Sequence, residues 1–320
     1  MECFGTTDFD NNSQLITLST IIISGLHCII KSDLKDVLNQ MFIHNQVSHQ
    51  QKHAIVVPLP KSNGDPTPEG FRPISLLTTE YKILARIMVR RLRPIMAEHL
   101  RSSQFCAVPG NSILYAVATV HDAITYAEAT GTPICVLTLD FESAFDRMSH
   151  HYLFNILRRY GISHRIIERI RNLYDGATAS IQINGMLTGR IPIQCEVREG
   201  CPLSMVLYAL CLYPLLRTLE DRLHGIHIGG TKRISPVLTY ADDVTVLVTQ
   251  PEDFDTIVQA KHTYENATGA RLNTHKSKAL AIANWTAQAT ALGIDFRADY
   301  GLWGQVCVYI RMISEGKLEL

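Results

Sequence analysis

The sequence predicts an α+β fold built around a mainly antiparallel sheet. Short apolar strands and amphipathic helices alternate along the chain without the regular spacing of βαβ units. Of the 320 residues, 46% are hydrophobic, which is ample for a core. The sequence contains no internal repeat or low-complexity tract, which argues against a solenoid.

The overall composition points to no partner. Lys plus Arg and Asp plus Glu both total 30, so a nucleic-acid-binding surface would have to be local. The eight cysteines include no C-x-x-C pair, which favours reduced thiols in an intracellular protein over zinc ligands or disulfides. The thirteen histidines lack ligand spacing with the cysteines, and we interpret them as mostly solvated.

The stretch 15–30 is uncharged and apolar, yet it is shorter than the ~20 residues of a membrane span. No Lys or Arg precedes it, whereas Glu2, Asp8 and Asp10 do, which is wrong for a signal peptide. We therefore expect a buried helix and no membrane partner. With no targeting signal recognised, the expected location is the nucleus, the cytoplasm or both.

The first third of the chain combines helices with a strand pair. The N-terminal fifty residues have helical spacing, and short strands are predicted at 54–60 and 71–76 around a turn-rich segment. Residues 81–92 predict a helix, which we expect Pro94 to stop.

One face of that helix is basic. Lys82, Arg86, Arg90 and Arg93 follow one another at helical spacing with no carboxylate between them. An ordinary solvated face is one reading of this stripe, and a surface that tracks nucleic-acid phosphates is the other.

The middle of the chain contains clear local signals. Residues 134–139 predict a buried strand that ends at Asp140. Ser149 predicts the start of a helix that Gly161 ends, and Asn184-Gly185 predicts a hairpin with a primed turn. A long apolar helix is predicted at 202–219.

Three aspartates form the candidate site. Asp242 and Asp243 lie between two β-branched apolar runs, at the tip of a predicted hairpin within 237–248. A plain β-turn would explain this pair alone. Asp140, at the end of another apolar strand, favours a two-metal site in which Mg²⁺ ions ~3.5–4 Å apart are held by carboxylates. Asp140 and Asp242 would then bridge the ions and Asp243 would assist.

Five segments in order carry a family resemblance. They are residues 71–76, 137–146, 197–204, 240–243 and 269–277. With these segments the chain resembles, from about 34 to 296, the reverse transcriptase of a non-LTR (LINE-type) retrotransposon. The resemblance implies a right-hand polymerase with fingers, an antiparallel palm sheet and a truncated thumb. It also implies an RNA template, a DNA primer or target DNA, dNTPs and two Mg²⁺ ions, with Mn²⁺ as an alternative.

The same resemblance implies roles around the aspartates. Asp140, Asp242 and Asp243 match the metal aspartates, and Phe141 would donate its backbone N–H to the triphosphate. Phe145 matches the bulky gate that excludes a ribose 2′-hydroxyl, although it could equally be a core residue.

Further roles follow for residues outside the aspartate segments. Lys61 and Arg72 match fingers residues that hold the triphosphate. Gly200 matches a backbone position close to the template and the nucleotide, and Glu199 lies beside it. Lys276 matches the position that protonates pyrophosphate, and an exposed lysine is the alternative reading.

The sequence departs from the family in three places. Glu199 stands where the family has Gln, Cys-Ala replaces the Gly expected after Gln104-Phe105, and residues 300–320 do not match the primer grip and thumb. The leading hypothesis is an RNA-directed DNA polymerase, the alternative is a weakly active or inactive RNA-binding remnant, and an unrelated two-metal nuclease is disfavoured. The oligomeric state is not predicted. The expected divisions are an N-terminal helical extension (1–50), fingers (51–131), palm with interleaved fingers elements (132–280) and an incomplete palm/thumb end (281–320).

Overall fold

The computed structural model describes residues 27–61, 67–100, 103–229, 232–286, 292–294 and 296–297. The chain divides into two compact units, one of residues 1–92 and 149–207 and the other of residues 93–148 and 208–320. The predicted boundaries at 50, 131 and 280 are not tested by this division and stay a prediction.

Helices and strands alternate along the described residues. The helices are α1 (His27–His44), α2 (His49–Lys52), α3 (Thr79–His99), α4 (Ile113–Thr130), α5 (His150–Arg159), α6 (His164–Tyr174), α7 (Ser204–Arg222) and α8 (Asp253–Thr268). The strands are β1 (His53–Pro60), β2 (Phe71–Leu76), β3 (Ile134–Leu139), β4 (Thr178–Ile183), β5 (Met186–Leu187), β6 (Ile191–Pro192), β7 (Ile226–Ile228), β8 (Lys232–Ile234), β9 (Val237–Tyr240), β10 (Asp243–Val248), β11 (Lys278–Ile282) and β12 (Phe296–Arg297). This order confirms the α+β class.

The first unit contains a sheet in the order β2-β1-β4-β5, with β6 also paired to β4. Strand β1 is antiparallel to β2 and parallel to β4, so this sheet is mixed. The predicted strands at 54–60 and 71–76 are confirmed.

The second unit contains a sheet in the order β12-β11-β3-β10-β9. Its central pairs are antiparallel, as predicted, whereas β11 and β12 pair in parallel. Helix α4 packs its buried face on this sheet. The buried cluster comprises Val120, Ala123, Ile124, Ala127, Ile134, Val136, Ile226, Ile234, Leu238, Leu247, Leu280 and Ile282.

The expectation that Pro94 stops a helix is wrong. Helix α3 continues through Pro94 to His99. Proline lacks an N–H, so the carbonyl four residues earlier loses its partner, but Pro94 and Arg90 are both exposed and water can serve that carbonyl. Beyond the proline, fully buried Met96 and Leu100 hold the last turns in place.

The other local signals are confirmed. The Ser149 side chain accepts a hydrogen bond from the N–H of Tyr152 at the start of α5. Gly161, at φ +68°, follows the end of this helix, and Asn184 and Gly185 have φ of +50° and +79°, as a primed turn requires.

Two expectations concern residues outside the described part. The apolar stretch 15–30 lies largely before His27, and residues 300–320 follow the last described strand. Among the helices that the structure describes, none combines the length and the apolar character needed to cross a membrane.

Candidate functional site

The predicted aspartates come together at one end of the sheet in the second unit. Strand β3 pairs with β10 so that Leu139 faces Val244. One step further along this register, Asp140 follows β3 beside Asp243, the first residue of β10. Asp242 precedes Asp243 at the tip of the β9–β10 hairpin, which confirms the predicted hairpin.

The three carboxylates share one electrostatic field. The residue Asp243 is exposed overall, but protein packed around its carboxyl raises the pKa to about 6, and the charges of Asp242 and Asp140 contribute to the rise. Burial also raises the pKa of the nearby Tyr208 hydroxyl, with further increases from the same two charges. Three mutually repelling negative charges are therefore concentrated at this end of the sheet.

The donor set fits a hard divalent cation by its chemistry. Carboxylate oxygens are the ligands that Mg²⁺ prefers, and a cation would offset the repulsion that raises the pKa of Asp243. In the described residues, however, no three His, Cys, Asp or Glu side chains are arranged to hold one metal ion. The assignment of metal ligands to Asp140, Asp242 and Asp243 thus stays a prediction.

The segment 269–277 lies directly against Asp140. The Asp140 N–H donates to Ser277 Oγ at 3.1 Å, and the Asn273 N–H donates to the Asp140 carbonyl at 2.8 Å. Lys276 is exposed next to Ser277 and lines a cleft of about 370 Å³ together with Asp140 and Asp243. The structure therefore places Lys276 near two of the aspartates, and its role in proton transfer stays a prediction.

Each of the two predicted phenylalanines packs against the ring of a tyrosine. The half-buried ring of Phe145 stacks on Tyr208, with ring centroids 4.7 Å apart and planes 24° apart. Phe141 is 5% exposed and meets Tyr264 edge-on at 5.5 Å. Phe145 is thus neither a solvated side chain nor a fully buried core residue, and its position is restricted by the tyrosine beneath it.

A second group of predicted residues lies on the sheet of the first unit. Arg72 is exposed on β2 opposite Leu59, and Lys61 follows β1, where its N–H donates to the Gly70 carbonyl at 2.7 Å. The backbone of the Glu199–Gly200 loop reaches the same strand, since the Ser75 N–H donates to the Glu199 carbonyl at 2.8 Å.

Gly200 is required by the approach of this loop to β2. Its φ is +98°, and a Cβ there would lie 2.6 Å from the Ser75 carbonyl oxygen. The close approach in the structure is therefore to β2, and the expected approach of Gly200 to the template and the nucleotide stays a prediction.

Arg198 supports the loop and was not singled out by the sequence analysis. It is 1% exposed and donates to the carbonyls of Lys52 and Leu173 at 3.0 and 2.9 Å. Its guanidinium also lies 4.8 Å from the ring centroid of Tyr81. The sequence offered no signal for this burial, because the acceptors of Arg198 are backbone carbonyls of residues distant in the chain.

His150 is an exception among the histidines, which we interpret as mostly solvated. It is half-buried, hydrogen-bonds to the Glu196 carbonyl at 2.9 Å and packs edge-on against Tyr174. Burial lowers the pKa of His150, with a further decrease from Arg198, while the bond to Glu196 opposes them. The bond from His150 and the two bonds from Arg198 thus both anchor the segment that leads into the Glu199–Gly200 loop.

The basic stripe forms as predicted on α3. Arg86, Arg90 and Arg93 are exposed and Lys82 is half-buried, while Leu84 and Met88 on the other side are buried. Its use in binding nucleic acid stays a prediction.

Comparison with known proteins identifies the family. Residues 59–296 match the model of the reverse transcriptase (RNA-dependent DNA polymerase) family. The chain is 33% identical over 248 residues to the 149 kDa protein of transposon TX1 from Xenopus laevis, covering 78% of the chain and 19% of that protein. It is 25% identical over 246 residues to the Pol polyprotein of the type-2 retrotransposable element R2DM from Drosophila melanogaster, and the match covers 75% of the chain and 22% of that polyprotein.

The fold is also similar to solved structures. Telomerase from Candida tropicalis, in complex with a fragment of telomeric RNA, superposes with a TM-score of 0.52 at 12% identity, covering 77% of this chain and 44% of that one. This likeness supports the right-hand polymerase fold. The chain spans about a fifth of the length of these two retrotransposon relatives. It belongs to the reverse transcriptase family, and its relatives are Pol proteins of non-LTR retrotransposons.

Proposed function

We propose that the protein is the core of an RNA-directed DNA polymerase that adds deoxynucleotides to a primer 3′-hydroxyl. The observation that carries this proposal is the placement of Asp140 beside Asp243, with Asp242 next in the chain and all three charges acting on one another. Membership of the reverse transcriptase family supports the same reaction.

Asp140, Asp242 and Asp243 would hold two Mg²⁺ ions, with Mn²⁺ as an alternative. Bound ions of this kind activate the attacking hydroxyl and neutralise charge on the leaving pyrophosphate. Because the three carboxylates repel one another, a bound cation would be favoured by the relief of that repulsion.

The remaining predicted residues would act on the nucleotide itself. Lys61 and Arg72 bind the triphosphate, and the backbone N–H of Phe141 donates to it. The Phe145 ring, restricted by the stack beneath it, occupies the space that a 2′-hydroxyl would need. As the bond between the α-phosphorus and the bridging oxygen breaks, Lys276 donates a proton to the departing pyrophosphate.

The nucleic-acid partners we propose are an RNA template and a DNA primer. In an intact element of this type, the primer would be a nicked end of target DNA. The exposed cations Arg86, Arg90 and Arg93, with Lys82, would bind backbone phosphates, because a row of cations neutralises polyanions without reading sequence.

Primer extension tests this proposal. Purified protein with an RNA template, a DNA primer, dNTPs and Mg²⁺ should lengthen the primer, and Asp140→Asn should remove the product. Asp122→Asn is the matched control, because the Asp122 side chain is 69% exposed on α4 and does not line the cleft that Asp140 and Asp243 line. Undiminished product from Asp140→Asn would contradict the proposed site.

The same purified protein also tests the alternative, an inactive RNA-binding remnant. The negative charge of Glu199 favours this alternative, because it would repel the phosphates of a nucleotide. A remnant would bind RNA with an affinity that falls steeply with salt, yet it would extend no primer in wild-type form. Gain of extension in Glu199→Gln would show that this one charge limits the use of nucleotides.

A further inference from the structure

The tip of the β9–β10 hairpin is held by a buried side chain from another part of the second unit. Gln104 is 0% exposed, and its Nε2 donates to the Ala241 carbonyl at 3.2 Å. Its Oε1 accepts from the Ala241 N–H at 3.1 Å. One primary amide thus satisfies both backbone groups of a single residue.

Ala241 needs such support because its backbone is strained. Its φ is +59°, in the left-handed region that a residue with a Cβ avoids at a cost of about 1 kcal/mol or more. It lies between the end of β9 at Tyr240 and the start of β10 at Asp243, and it immediately precedes Asp242. Rotation of the Ala241 peptides would therefore move the carboxylates that follow.

The orientation of the Gln104 amide is itself determined. Its Oε1 also accepts from the Cys106 N–H at 2.9 Å, so two N–H groups point at one oxygen. Reversal of the amide would place its NH₂ against both donors, which is unfavourable. The observed orientation is the one that leaves the NH₂ free to donate to Ala241.

The backbone around Gln104 is tied to the same hairpin. The Phe105 N–H donates to the Thr239 carbonyl at 2.8 Å, and the Thr239 N–H donates to the Ser103 carbonyl at 2.7 Å. Residues 103–105 thus run beside β9 in a parallel bridge. Gln104 is fixed to the strand whose turn it holds.

We propose that Gln104 is a positioning residue that fixes the left-handed turn at Ala241 and thereby aims Asp242 and Asp243 at the metal ions. This inference rests on the proposed function, since it assigns a task within the same site. Gln104 itself touches no substrate in this role. Its effect passes through Ala241 to the two carboxylates.

The chemistry of the amide is specific to the task. A methionine would fill a similar volume but remove the donor to the Ala241 carbonyl and the oxygen that the Ala241 and Cys106 N–H groups share, which is unfavourable. A glutamate would keep the acceptor but place negative charge against the Ala241 carbonyl. Only a primary amide of this length both donates and accepts here.

Binding of Mn²⁺ by the full chain, followed by electron paramagnetic resonance without substrate, tests the proposal. We expect Gln104→Met to bind Mn²⁺ about 10–100-fold more weakly than wild type, as is common when a residue that orients metal ligands is removed. Ser103→Ala is the matched control, because Ser103 is also 0% exposed and its hydroxyl has no hydrogen-bond partner among the described residues. Its Mn²⁺ affinity should equal that of wild type.

A second variant separates positioning from mere stabilisation. In Gln104→Met/Ala241→Gly, glycine adopts the positive φ without strain, so the backbone strain at residue 241 is relieved while the turn stays unfixed. We expect Mn²⁺ affinity to remain low in this double variant. Recovery of the wild-type Mn²⁺ affinity in the double variant would overturn the proposal, because the role of Gln104 would then be to offset backbone strain alone.

The experiment distinguishes failure of the proposed role of Gln104 from failure of the proposed function. If wild type binds Mn²⁺ and Gln104→Met binds it equally well, the positioning role is wrong while the proposed function stands. If wild type binds no Mn²⁺, or binds it no better than Asp242→Ala, the proposed metal site fails and the role of Gln104 falls with it.

Discussion

Gly200→Ala tests whether the loop at 199–200 must touch strand β2. A Cβ at this position would lie 2.6 Å from the Ser75 carbonyl oxygen, whereas an ordinary contact begins near 3.4 Å. The loop would have to retreat by the difference, 0.8 Å. A shift of that size along the Ser75 N–H to Glu199 carbonyl bond, now 2.8 Å, would lengthen it to 3.6 Å and break it.

Two contributions determine how much Gly200→Ala lowers the free energy of unfolding. Loss of a backbone hydrogen bond removes about 1 kcal/mol, and an alanine at φ +98° adds about 1–3 kcal/mol of strain. We therefore expect Gly200→Ala to lower the free energy of unfolding by about 2–4 kcal/mol. Because the loop is proposed to lie near the nucleotide, the KM for dNTP should rise in the same variant.

Urea unfolding of Gly200→Ala and Gly161→Ala measures this cost. Gly161 belongs to the same unit and also has positive φ, at +68°, but a Cβ there meets nothing within 4 Å. Gly161→Ala should cost only about 1 kcal/mol, the ordinary penalty of alanine for glycine in this conformation. Equal losses of stability in the two variants would refute the argument from close approach.

Three further predictions concern the supports of the site. Arg198→Met removes a donor from each of two buried carbonyls, although the Leu173 carbonyl keeps its 3.4 Å bond from the Tyr81 hydroxyl. The change should therefore destabilise the protein by about 2–4 kcal/mol and raise the KM for dNTP, with Arg198→Lys intermediate. Burial lowers the pKa of His150, so below pH 6.5 this residue binds fewer protons in the native state than in the unfolded state. As the pH falls through this range, the unfolding temperature of wild type should therefore fall relative to that of His150→Gln. Phe145→Val should raise the incorporation of ribonucleotides by at least about tenfold. Tyr208→Leu should raise it less, because it removes the ring on which Phe145 stacks and so lets the Phe145 side chain move.

Each of these has a result that would contradict it. Arg198→Lys as stable as wild type would mean that charge alone suffices at this position. A difference in unfolding temperature between wild type and His150→Gln that stays constant from about pH 7.5 to about pH 5 would contradict the buried, neutral state of His150. Unchanged sugar discrimination in Phe145→Val would remove that residue as the gate.

The candidate aspartates could be predicted because their signals are local. Asp140 follows a short run of apolar residues, and Asp242 and Asp243 interrupt another, so strand ends and turn are visible in the sequence. The Ser149 cap and the Asn184-Gly185 turn have the same local character, because each depends on residues a few positions apart.

The supports of the site could not be predicted in the same way. Gln104 and Ala241 are 137 residues apart, and the bonds join a side chain to a backbone, so they leave no periodic trace. Arg198 likewise donates to the backbone carbonyls of Lys52 and Leu173, and any residue type at those two positions would offer the same carbonyl, so the sequence does not reveal the bonds. The passage of α3 through Pro94 depends on burial of later residues, which a rule about proline alone does not include.

Incorporation of a single deoxynucleotide by wild type and Asp242→Ala, on a DNA primer annealed to an RNA template with Mg²⁺, tests the central claim most directly. The arrangement of Asp140, Asp242 and Asp243 predicts that wild type adds one nucleotide and that Asp242→Ala adds none while still binding the primer–template. Incorporation by Asp242→Ala at the wild-type rate would contradict the assignment of these carboxylates as the catalytic site.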